Sequence, residues 1–157
     1  MSVYTRLCDA ILAELASAVP SLTGVENVHR YTPFSVESLL ADGETHLAVW
    51  TVTDQANEEA QPMTTGSMLV RYPIGISYWE PCEEGDDLRA NEDAAARLSE
   101  TLEDVRTVLT RNSFRNLEGG ILQWVGSVME TGGAQASGSV RWWVAELSVW
   151  VPVAYAA

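Results

Sequence analysis

The residues best suited to chemistry in this 157-residue chain are carboxylates. Glu83, Glu84, Asp86 and Asp87 crowd hard oxygen ligands into one short run. Such groups suit calcium or magnesium, but the run lacks the alternating ligand spacing of a calcium loop. It also precedes a helical pattern, where each acidic residue stabilises the helix start by about 0.3–1 kcal/mol, so solvated helix-start charge is the expectation. His29 and His46 fall on or beside separate strand patterns with no nucleophile patterned beside them, and a surface or strand-end position is expected for each. Gly119-Gly120 and Gly132-Gly133 match neither a phosphate loop nor a dinucleotide fingerprint, and there is no CxxC or HExxH. Cys8 and Cys82 are too few for a disulfide scaffold. Cys8 lies on the apolar stripe of the first helix, which predicts a buried thiol in keeping with a reducing compartment. No catalytic residue, cofactor site or metal site emerges, and an enzyme is not the expectation.

Composition narrows the classes further. A net charge of −13 argues against gripping nucleic acid through its phosphates, which needs clustered cations. All nine cationic residues are arginines, which fits either a GC-rich coding bias or selection for bidentate ion pairs. No stretch approaches the roughly 18 apolar residues of a membrane span, and Asp9 and Glu14 interrupt any signal-peptide pattern. The length predicts one domain over residues 1–157, large enough to bury about 70% of its unfolded-chain surface.

The elements follow from periodicity. Ser2 can cap a helix to about residue 18, with Val3, Leu7, Ile11 and Leu15 on one stripe, Cys8, Leu12 and Val19 widening it, and Pro20 ending it. Strands are predicted over 25–31, 47–53 and 67–79. In the last of these Met68, Val70, Tyr72, Ile74, Ile76 and Tyr78 alternate with smaller or polar residues, and Pro73 implies a bulge or edge. An acidic segment, 80–93, leads into a second helix to about residue 111. Its buried stripe is Leu88, Ala95, Leu98, Leu102, Val105 and Leu109, with Asp93 and Arg97 spaced as an i,i+4 pair. A turn region over 112–120 precedes two final strands, 121–130 and 140–155, joined by a Gly/Ser-rich connector over 131–138.

The order α-β-β-β-α-β-β predicts a two-layer α+β fold: a mixed or antiparallel sheet with both helices on one face. The last strand is apolar on both sides. Trp143, Ala145, Leu147, Val149, Val151 and Val153 make one row; Trp142, Val144, Glu146, Ser148 and Trp150 make the other. Two helices cover only one sheet face, so Trp142, Trp150 and Trp79, with Trp124 as a further candidate, are interface anchors expected on the other. The alternative is a curled sheet in which these rings form a second small core. The connection over 54–66 is far longer than a usual hairpin loop. It is read either as a tolerated insertion or as a partner-contacting arm carrying Glu58, Glu59 and Met63.

This whole-chain arrangement resembles the tail terminator proteins of long-tailed bacteriophages. The resemblance rests on the opening helix over 3–18, the short strand before Arg30-Tyr31-Thr32-Pro33, and the hairpin with its long acidic loop. It continues through the strand over 68–79, the acidic helix over 91–111 and the closing strand pair. It spans nearly all the chain, and lysine-free composition fits a phage of a GC-rich host. The family implies a virion protein, assembled in the host cytoplasm and located at the head–tail interface. Its partners would be its own copies in a six-membered ring, the tail tube protein and the head–tail connector or neck protein. DNA would pass through the lumen ungripped, which an anionic wall favours. The family has no catalytic residues to carry over. A head-completion or connector protein, and a small-molecule-binding or enzymatic α+β domain, are the rival classes.

Overall fold

The computed structural model describes residues 3–30, 43–51, 59–62, 67–82, 88–110, 116–117, 122–123, 126–137 and 140–154. Helix α1, Val3–Ser17, buries Tyr4, Leu7, Cys8, Ile11 and Leu15, the stripe that 3.6-residue periodicity dictates. It gives way to a single 3-10 turn, Val19–Ser21, because Pro20 has no N–H to continue the ladder. The expected cap, Ser2, lies outside the described residues. Strands β1 (Asn27–Arg30), β2 (His46–Thr51), β3 (Glu59–Pro62) and β4 (Ser67–Pro81) follow, then α2 (Leu88–Thr110). The remaining strands are β5 (Asn116–Leu117), β6 (Leu122–Gln123), β7 (Gly126–Ser137) and β8 (Val140–Ala154).

The main sheet runs β1-β2-β4-β8-β7, with β3 also on β4; β5 and β6 pair separately. β1 is parallel to β2 and the other pairings are antiparallel, so the sheet is mixed. Alternate residues of β2, β4 and β8 join both helices in one core: Leu47 and Val49, Val70 to Tyr78 at even numbers, and Trp143 to Val151 at odd numbers. Both helices therefore lie on one sheet face, and the chain is a two-layer α+β fold.

The element boundaries depart from expectation in instructive places. The segment over 54–66 is not loop throughout, since Glu59, Ala60, Gln61 and Pro62 pair with Arg71, Val70, Leu69 and Met68. Thr51 pairs with Ile74 and Glu59 with Arg71, so β2 and β3 lie in succession along the same flank of β4. Pairing there satisfies backbone groups that the first half of β4 would otherwise leave open. Pro73 stands in regular register opposite Ser148 of β8; on its other flank it lies between the last pair with β2 and the first with β3, and its carbonyl accepts the Tyr4 hydroxyl.

The connector over 131–138 is largely β7, and its glycines Gly132 and Gly133 sit at a bulge where register passes from Thr131↔Ala145 to Ala134↔Trp143. The turn region contains β5, and the strand expected over 121–130 divides into β6 and the start of β7. β4 runs two residues beyond its expected end, to Pro81. Among the described side chains of α2 the buried ones are Ala94, Leu98, Thr101, Val105 and Leu109, with Leu102 packed partly buried against the core and Ala95 exposed; the Leu88 side chain lies outside those described.

Cys8 is fully buried, as its stripe predicts. Burial pushes its thiol up to about 11, against a smaller opposing pull from Arg30. Because the thiolate is the reactive form, iodoacetamide at neutral pH should modify half-buried Cys82 and spare Cys8 in the native protein. Mass spectrometry of the alkylated chain checks this; equal labelling would show that the core opens readily.

Candidate docking face of the sheet

Strand alternation gives the sheet a second face, away from the helices. On it register aligns His46, Trp79 and Trp142 across three strands, then Ala48, Ser77 and Val144, then Trp50, Gly75 and Glu146, with Arg71 opposite Trp150 further along. This face is covered unevenly. Along β4 Pro73, Gly75, Ser77 and Trp79 are buried, as are His46 and Ala48 on β2. β8 is more open: Trp142 and Trp150 are half-buried, Val144 is 43% exposed, and the Glu146 side chain is 45% exposed. Val144 is the large apolar residue left most open among the described residues. Arg71 reaches across this surface, donating to Ser148 Oγ at 2.8 Å and lying 3.6 Å from Glu146.

Of the aromatics expected here, Trp79 stands on this face but only 7% exposed, so it offers little area to a partner. Trp142 and Trp150 keep accessible surface; Trp124, Glu58 and Met63 lie outside the described residues, and Glu59 opens β3. Trp50 is the aromatic that periodicity alone did not single out. Its ring lies against the Gly75 backbone so closely that a Cβ at position 75 would come 2.2 Å from Cε2. A glycine inside a long apolar strand was the available signal, because it marks a close approach. Gly75→Ala should therefore expel the ring, cost about 1–3 kcal/mol, and red-shift tryptophan emission. Unchanged emission and stability would show that the ring has room to move.

One end of the sheet is pinned by charge. Glu80, with its side chain 3% exposed, accepts Arg97 in a fork, Nη2 at 2.6 Å and Nε at 3.0 Å. Arg141 Nη1 lies 3.7 Å away, and the Tyr78 hydroxyl donates to Oε2 at 3.1 Å. β4, β8 and α2 are tied together through one carboxylate. Arg97 thus bonds Glu80, and the charge of Asp93 also favours its cationic form, as the i,i+4 spacing predicts. The loop between α1 and β1 joins this end, since Thr101 donates to the Thr23 carbonyl and the Thr23 N–H to Asp104 at 2.8 Å.

Burial, then the neighbouring Glu80 carboxylate, raise the Tyr78 phenol far above the usual tyrosine range. The folded state holds that proton more tightly than the unfolded chain, so its stabilisation is complete below about pH 10 and declines as pH rises further. Chemical denaturation above about pH 10 should show falling stability with a weaker fall in Tyr78→Phe. Parallel pH profiles for the two would remove Tyr78 from the account.

His29 and His46 come together on neighbouring strands, rings edge to face at 5.3 Å; His46 holds the strand-end position at the start of β2 and is buried there. Among the described residues no group of three or more His, Cys, Asp or Glu is placed to hold a metal ion, and no described helix is long and apolar enough to cross a membrane.

The geometry defines a two-layer α+β domain with one helix-covered and one partly open sheet face. No family model matches the chain, and no curated protein matches it in sequence. Among solved structures it is similar to a chain in the virion of a native gene transfer agent particle. The TM-score is 0.50 at 16% identity, over 92% of this chain and 93% of that one. A second solved chain, 14% identical over 95% of this chain and 94% of its own, superposes at 0.47. At these identities the likeness is one of fold.

Proposed function

We propose that this protein is a structural component of a phage-like virion that caps the tail tube and forms the tail side of the head–tail joint as a ring of its own copies. The observation that carries this reading is the nearly end-to-end likeness of fold, 92% of one chain on 93% of the other, to a chain of a gene transfer agent virion. The half-open aromatic face around Trp142 and Trp150 supports it, since such residues anchor protein interfaces. So does the net charge of −13, which suits a wall past which DNA moves without being held. No catalytic role is proposed.

Immunogold labelling of particles with antibody to this chain tests the reading. Label is expected at the head-proximal end of the tail, including on tails not yet joined to heads. Label confined to the vertex of tailless heads would replace it with a neck-protein role, and particles without label would overturn the virion role itself.

A further inference from the structure

We infer that His29 and His46 form a two-imidazole site for a divalent cation of the zinc type, which clasps strand β1 to β2. The inference stands apart from the virion reading. Register places the residues on the second sheet face. His29 stands across from Ala48 and Ala48 across from Ser77, so one row crosses β1, β2 and β4. Ala48, in the middle of that row, fills it with no more than a methyl group. His46 lies two positions before Ala48 and so points to the same side, where its ring meets that of His29. β1 is four residues long and pairs only with β2 among the described strands. A shared ion would add a second tie to that short edge.

The donor chemistry fits such an ion. His29 Nδ1 lies 3.0 Å from the Arg30 carbonyl, which can only accept, so Nδ1 carries the proton and Nε2 the lone pair. That Nε2 is buried and takes no hydrogen bond among the described residues. A backbone carbonyl holding the far N–H is the arrangement that orients metal-binding imidazoles. His46 is 5% exposed and in its neutral form brings a lone pair of its own. Ser77, 1% exposed, has an Oγ that likewise bonds no described residue, and its place in the row suits it to hold a metal-bound water. Two imidazoles bonded at about 2.0–2.1 Å to one tetrahedral ion put their ring centres about 5.2 Å apart. The observed separation is 5.3 Å. Imidazole nitrogen favours zinc, nickel or copper over calcium and magnesium. The adjacent cation Arg30 is drawn to Asp9 of α1 at 3.2 Å, and a net charge of −13 attracts cations to the chain.

The test is a titration of the chelator-treated protein with zinc chloride, with excess magnesium present to occupy diffuse carboxylate sites. One zinc per chain is expected, with shifts in the imidazole nitrogen resonances of both histidines and slower amide exchange in β1. His29→Gln, at a half-buried position, should weaken binding about tenfold or more and leave the melting temperature of the zinc-free protein near that of the parent. Cys82→Ser is the control, because a half-buried thiol is the rival zinc ligand. It should change neither the affinity nor the two imidazole shifts. Zinc bound with neither imidazole shifted would overturn the inference, as would binding lost in Cys82→Ser and kept in His29→Gln. No saturable zinc binding at all would also overturn it and assign the unpartnered atoms to water. The shifts are read on the parent chain, so they decide the matter even where His29→Gln fails to fold. No particle enters the titration, so its outcome and the labelling result stand or fall separately.

Discussion

Trp143→Ala is expected to lower folding stability by about 3–5 kcal/mol, the range for truncating a large buried aromatic. Trp143 is 1% exposed and lies on the helix side of β8. It stacks on Tyr78, its register partner on β4, with centroids 6.1 Å apart and planes 24° from parallel. Removing the indole would leave a cavity between β4, β8 and the helices that close packing cannot collapse. Its Nε1 bonds no described residue, so the side chain acts through volume, and Trp143→Phe should cost less than about 1.5 kcal/mol. Trp142→Ala and Trp150→Ala are the controls. Both rings are half-buried on the other face, and each should cost about 1–2 kcal/mol, as partial burial implies. Urea denaturation of the four variants measures this, and equal losses at positions 142, 143 and 150 would show both faces to be ordinary core.

Glu80→Ala should be as damaging, at about 3–5 kcal/mol, because it breaks a buried cluster by removing the carboxylate that Arg97, Arg141 and the Tyr78 hydroxyl share. Arg141 is also nearly buried, its side chain 8% exposed, so water compensates it poorly for the lost carboxylate. Arg97→Ala should cost under about 2 kcal/mol, since that guanidinium is 42% exposed and its loss leaves Glu80 with Arg141 and Tyr78. The order, Glu80 well above Arg97, separates a buried hub from a surface ion pair. A Glu80→Ala variant as stable as the parent protein would mean that the cluster contributes nothing net to the fold.

Much of the fold was legible because alternation and 3.6-residue periodicity are local properties. They assigned both helices, the core row of β4 and the inward position of Trp143 without knowledge of any partner strand. They failed where a local signal was weak or a distant one overrode it. The glycines near Thr131 read as a connector, yet pairing with β8 extends β7 through them around a bulge. The polar segment before Met63 read as loop, yet β4 recruits Glu59 to Pro62 as a strand. Ala95 and Ala94 are indistinguishable in composition, and only the packing of α2 on the sheet buries Ala94.

By itself, then, the sequence determined the α+β class, the two-faced character of the last strand, the buried Cys8 and the lack of any recognisable catalytic pattern. Those depend on residue type and on spacing within single elements. Tertiary structure decided which of the second-face aromatics stay open, that Trp50 rests on Gly75, that His29 meets His46, and that Glu80 collects two arginines and a tyrosine. The bond from Tyr4 to Pro73 spans 69 positions and that from Arg71 to Ser148 spans 77. The physical reason is one of range. The pleat fixes which way a side chain points from its own backbone alone, but its cover and its charge partners come from strands that only the folded register brings alongside.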